Sequence, residues 1–65
     1  MNDALNLITP REQGVLNLLA KGMTYREMSV QLGVTAETVK KHLKNIYRKL
    51  EVSNKIAALN RFKVL

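Results

Sequence analysis

Thr9-Pro10-Arg11-Glu12 and Thr24-Tyr25-Arg26-Glu27 state one signal twice, and together they set where this chain can turn helical. A capping Thr accepts a hydrogen bond from the amide three residues on, and Glu at that position reaches back to the cap's own amide. Pro10 suits the first helical position, where its missing N–H costs nothing. Gly22 and Gly33 follow as left-handed stops. A chain of 65 residues punctuated this often has room only for short helices and too little apolar material for two cores. The expectation is a single all-α domain over residues 1–65, with 1–8 as an N-terminal extension or linker.

Four helices are predicted, over about 10–21, 25–32, 36–50 and 54–63. The first buries Val15, Leu16, Leu18 and Leu19, and Glu12 falls inside that apolar arc. Glu12 is then either a cap lying over the core edge or a partly buried carboxylate paired with a base from the last helix, Lys55 being the candidate. The second helix sets Tyr25, Met28, Ser29 and Leu32 on one side. Gly33 ends it, Val34 folds back and Thr35 caps the third, which is the layout of a helix-turn-helix. Ser29, small and central, fits a place where the two helices approach closely. Ser53 is the expected cap of the fourth helix, whose Ala58, Leu59, Phe62 and Leu65 share a side while Ile56, Asn60 and Lys63 lie on another. Ile56 is either an isolated surface residue or part of a self-association patch.

The third helix carries the functional clue. Val39, Leu43, Ile46 and Leu50 form a seam about 60° wide, with Lys41, Lys44 and Arg48 almost directly opposite and Lys40 and Asn45 beside them. Thr38, Lys49 and His42 lie nearer one edge of the seam, and Tyr47 flanks it, half-buried with its hydroxyl outward. The net charge is +6, and all of that excess lies in residues 35–65. Like-charge neighbours such as Lys41–Lys44 and Lys44–Arg48 each cost a few tenths of a kcal/mol, roughly, in an isolated helix. A face kept uniformly positive at that cost suits a polyanion, nucleic acid or an anionic membrane surface; the plainer alternative is a solvated face that keeps the domain in solution.

Several functions are disfavoured. The absence of cysteine removes disulfides, thiolate metal sites and cysteine nucleophiles. No apolar run is long enough to span a bilayer, and the N-terminus lacks the form of a signal peptide, so a soluble, cytoplasmic domain is expected. No nucleophile stands beside a base and no glycine-rich phosphate loop occurs, so neither an enzyme nor a cofactor is expected. His42, the single histidine, has no metal-type companion and reads as a packing residue. No exposed aromatic platform for unstacked RNA bases is evident.

With the helices placed, the chain resembles a known pattern. Leu7, TPRE at 9–12, Val15-Leu16, Leu19-Ala20, Gly22, Glu27-Met28, Leu32, Thr38-Val39-Lys40, His42, Asn45-Ile46 and Lys49-Leu50 carry the likeness, which Val52, Asn54 and Ala58 extend. It is similar to the LuxR-type helix-turn-helix, also called FixJ- or NarL-type, over about residues 5–62. The resemblance implies a four-helix DNA-binding domain at the output end of a bacterial transcription regulator. Its third helix would enter the major groove and its last helix would form the dimer contact, for which Ile56, Leu59, Asn60 and Lys63 are the candidates. Lys40, Lys41 and Lys44 match family places facing base edges, and Thr24, Thr38, Asn45 and Lys49 match places near the sugar-phosphate backbone. Arg48, further along the helix, would meet the backbone or nothing.

The chain departs from the pattern at three points. Tyr25 stands where asparagine is frequent, which favours core packing there over a polar contact; Ser29 replaces alanine and Lys55 replaces arginine. The implied partners are double-stranded DNA, a second copy of the chain, an upstream receiver or sensor domain not present in this sequence, and RNA polymerase. The rival reading is a basic helical module that docks on an acidic protein without DNA. A third, an amphipathic helix on anionic lipid, is weakened by a narrow seam without Trp or Phe.

Overall fold

The computed structural model describes residues 8–64, with side chains through residue 62. Among the described residues there are four helices, α1 (Pro10–Ala20), α2 (Tyr25–Leu32), α3 (Ala36–Leu50) and α4 (Lys55–Val64). Both capping boxes form in full. The Glu12 amide donates to Thr9 Oγ1 at 3.1 Å while Glu12 Oε1 accepts the Thr9 amide at 3.0 Å. Thr24 and Glu27 repeat the pair at 3.1 and 2.8 Å. Thr35 caps α3 by accepting the Thr38 amide at 3.1 Å. At α4 the expected cap is corrected by one residue. Asn54 Oδ1, and not Ser53, accepts from the Ala57 amide at 2.8 Å, because α4 begins at Lys55 and only the residue before it can reach that amide.

α1, α2 and α3 end by one device. A left-handed residue closes each helix (Gly22, Gly33 and Glu51, φ 81°, 70° and 59°), and the following amide bonds back to a carbonyl five residues earlier. Those bonds run from Met23 to Leu18, from Val34 to Ser29 and from Val52 to Tyr47, at 3.4, 3.0 and 2.9 Å. Each of these donors, Met23, Val34 and Val52, is apolar and packs against the core. Sequence reading finds the two glycine stops; Glu51 escapes it because a charged residue seldom takes that conformation.

The core is the expected one at its centre, while Leu18, Leu32, Leu59 and Phe62 are only half-buried around it. Val15, Leu16 and Leu19 of α1, Met28 of α2, Val39, Leu43, Ile46 and Leu50 of α3, and Ala58 of α4 are buried. Each such Leu, Ile or Met stabilises the fold by about 1.5–3 kcal/mol. α3 is the hub: it packs on every other helix, whereas among the described residues α2 and α4 do not pack on each other. Whatever α2 and the open side of α3 bind is therefore kept apart from whatever α4 binds.

One expectation on α2 changes. Tyr25 is 38% exposed, so it hangs over the end of the core and is not packed within it. It is the first residue of the helix, where the apolar face runs out before a ring can be enclosed. Ser29 is half-buried and its hydroxyl donates to the Arg26 carbonyl at 2.6 Å, turned back on its own helix. Leu65 lies outside the described residues.

Candidate nucleic-acid interface

Burying the Val39–Leu50 seam turns the opposite side of α3 outward. Lys40, Lys41, Lys44 and Arg48 are all exposed, and Asn45 and Thr38 are half-buried beside them. Lys40 is held loosely by Glu37, 3.5 Å away on the same helix, with both side chains largely in solvent. An exposed pair of this kind contributes about 0–1 kcal/mol and yields readily to a phosphate. Arg48 donates to Asn45 Oδ1 at 3.3 Å, so two of the candidates share one hydrogen bond. Thr38 and Thr24 are both engaged in caps, Thr38 with Thr35 Oγ1 at 3.0 Å and Thr24 with Glu27. At the N-terminal end of α3, Glu37 is the sole acid of the first turn.

Lys49 departs from this basic face. Its ammonium lies 2.7 Å from Glu12 Oε1, with the two side chains only 25% and 8% exposed. Lys55, the partner expected for Glu12, is exposed at the start of α4. The reason is register: Lys49 sits on the edge of the seam that packs on α1, while Lys55 comes only after the turn that leaves α3. Burial pushes the Glu12 carboxyl up. Hydrogen bonds from Lys49 and Thr9, with the charge of Lys49, outweigh it and hold the group below its ordinary value.

The second correction concerns Tyr47. Its hydroxyl does not point outward; it is buried, with no hydrogen-bond partner among the described residues. Burial, and after it the neighbouring Tyr25, push this phenol above its ordinary value. Tyr47 shares its side of α3 with Ala36 and Lys40 and packs against the core. That wheel position was available from the sequence; the direction of the ring was not.

A separate surface lies on α4. Ala20, Ile56, Leu59, Asn60 and Phe62 line a groove of about 420 Å³. It unites three of the four dimer candidates, Ile56 being 71% exposed at its lip. The side chain of the fourth, Lys63, lies outside the described residues. Sequence reading missed Ala20, which joins the groove from the end of α1. His42 is half-buried at the seam's edge. Among the described residues no helix is long and apolar enough to cross a membrane.

The family described as "Bacterial regulatory proteins, luxR family" matches residues 6–62. The chain belongs to that family. Among its luxR-family relatives is a nitrate/nitrite response regulator protein homolog of Haemophilus influenzae, 40% identical over 57 residues, which cover 88% of this chain and 27% of the relative. The probable transcriptional regulatory protein SgaR of Hyphomicrobium methylovorum is 43% identical over 58 residues, 89% of this chain and 28% of its own. The transcriptional regulatory protein DesR of Bacillus subtilis is 40% identical over 58 residues, covering 89% and 29%. The chain thus spans less than a third of the length of the curated luxR-family relatives it matches. No solved structure matches it. The four helices and the motif formed by α2 and α3 are the all-α helix-turn-helix architecture expected of a luxR-family domain.

Proposed function

We propose that this domain binds double-stranded DNA in a sequence-dependent way as the output part of a bacterial transcription regulator, with α3 in the major groove. The observation that carries the reading is the basic side of α3, where Lys40, Lys41, Lys44 and Arg48 are all exposed. A helix fits a major groove about 12 Å wide, and its first turns are the part that meets base edges. Lys40, Lys41 and Lys44 occupy those turns and donate to guanine O6 and N7; as point donors each discriminates by about 1 kcal/mol, the low end for such contacts. Thr24, Thr38, Asn45 and Arg48 serve the flanking phosphates. Lys49 retains ammonium protons beyond the one donated to Glu12, so its phosphate contact is shared with a structural duty.

Two copies pair through the α4 groove in this reading, which sets two reading helices on half-sites about one DNA turn apart. The separation of α2 from α4 supports it, because pairing would leave the basic side of α3 open. A receiver or sensor domain and RNA polymerase are further partners in this reading, in keeping with relatives named as a response regulator and a transcriptional regulatory protein.

Selection of preferred sites from a random duplex pool tests the proposal. A two-fold symmetric consensus is the expected result. No binding to any duplex at low salt would overturn it and favour an acidic protein partner.

A further inference from the structure

Among the described residues, three basic side chains of α3 meet a side-chain oxygen of the same domain, and the pairs differ in kind. Lys40 faces Glu37 at 3.5 Å with both groups largely in solvent, an open pair that a phosphate can part. Arg48 donates to Asn45 Oδ1 at 3.3 Å, a neutral partner that leaves its charge whole. Lys49 donates to Glu12 Oε1 at 2.7 Å, and this pair is enclosed, with Glu12 buried and Lys49 half-buried. The same Oε1 accepts the Thr9 amide at 3.0 Å, so the cap of α1 pins the carboxylate in place. A cation and an anion this close nearly cancel at the distance of a neighbouring phosphate, leaving a small dipole. The ammonium still has three protons, of which Glu12 accepts one. Charge and hydrogen-bonding capacity, which go together in an exposed lysine such as Lys41 or Lys44, are separated in Lys49.

We propose that Glu12 neutralises Lys49 toward DNA, so that Lys49 holds one backbone phosphate by hydrogen bonding without releasing a counterion. Glu12 touches no DNA in this scheme; it is a positioning residue that acts through Lys49. The pair meets the duplex as a net-neutral donor whose place is fixed from α1. Sequence-independent affinity grows with the number of counterions released, whereas a phosphate contact of any charge fixes register. The contact at Lys49 therefore orients α3 on the duplex without strengthening its attraction to every duplex it meets. In this way a carboxylate on α1 limits the part of the affinity that carries no sequence information. This inference rests on the DNA-binding reading and deepens it.

The test is a salt titration of binding to a fixed duplex by the parent, by Glu12→Gln and by the double variant Glu12→Gln/Lys49→Met. Melts at each salt concentration give the folded fraction by which each affinity is corrected. Glu12→Gln keeps an acceptor for Lys49 but frees its charge, and log affinity should fall with log salt more steeply than in the parent, by about 0.9. The double variant removes the pair as a neutral unit. Its slope should equal the parent's, while its binding weakens about three- to tenfold, the span of one hydrogen bond. A merely structural role for the pair would move the melts and leave the slope of Glu12→Gln at the parent value, which overturns the proposal. A double variant whose slope falls by about 0.9 overturns it too, because Lys49 would then act as an ordinary cation. So does a double variant that binds as tightly as the parent. These results leave the DNA reading intact, whereas a parent that binds no duplex overturns the two together.

Discussion

Lys49 Nζ and Glu12 Oε1, 2.7 Å apart, join the end of α3 to the cap of α1 through a single carboxylate oxygen that also accepts the Thr9 amide. Replacing Glu12 by Gln removes the charge and leaves the Lys49 ammonium, three-quarters buried, without its counter-ion. The expected cost is about 1–3 kcal/mol, read as a lower midpoint in urea.

The same carboxyl predicts an acid dependence. Glu12 is held below its ordinary value of 4.5, so the folded state binds its proton less readily than the unfolded chain does. Its stabilising contribution is complete above that ordinary value and fades as pH falls through the lower folded one. In Glu12→Gln the melting temperature should fall less steeply across that acid range than in the parent. Parallel curves would sink the assignment.

Gly14 stands inside α1 with open space where a side chain would project. Ala there meets no atom and removes unfolded-state freedom, so Gly14→Ala should stabilise by about 0.5–1 kcal/mol. A melt by circular dichroism decides it, and a lower midpoint would mean that something else needs the bare backbone.

Glu51 closes α3 with φ 59°, a job done by glycine in the other two closures. It also sets a carboxylate against the negative end of the helix. Glu51→Gly relieves both and should raise stability by about 0.5–1 kcal/mol, against the usual loss on introducing glycine. Chemical denaturation gives the sign directly.

Lys41→Ala and Lys44→Ala should weaken duplex binding while leaving the melting temperature nearly unchanged, because both side chains are exposed. Removing a lysine that meets a phosphate lowers the salt slope by about 0.9, whereas removing one that meets a base alters site preference instead. Leu43→Ala, at 2% exposure, should remove about 2–5 kcal/mol and unfold much of the population.

Much of this was legible because local chemistry decided it. Capping boxes, glycine stops and a 4-3-4 seam are written within a few residues of where they act, so the helices and their core follow from the sequence to within a residue. Ile56 stood out in the sequence as an apolar residue out of place, but the groove it borders, which Ala20, Leu59 and Phe62 complete, did not. What escaped depends on distance. Periodicity sets Lys49 at the edge of a seam but cannot say that α1 brings Glu12 to that edge and leaves Lys55 outside. Nor can it tell that the Tyr47 hydroxyl turns inward, which packing against the core decides. Glu51 escaped for the opposite reason: its local preference loses to the closure that brings Val52 back to the core.

The three matching helix closures leave almost no slack in the connections, which run from Lys21 to Thr24, Gly33 to Thr35 and Glu51 to Asn54. A residue inserted in any of them would swing a neighbouring helix off its seat, so indels are closed to this scaffold as a route to novelty. Divergence in target choice must instead come from exchanging the outward side chains of one rigid rod. Those sites owe nothing to the interior, which leaves them free to drift.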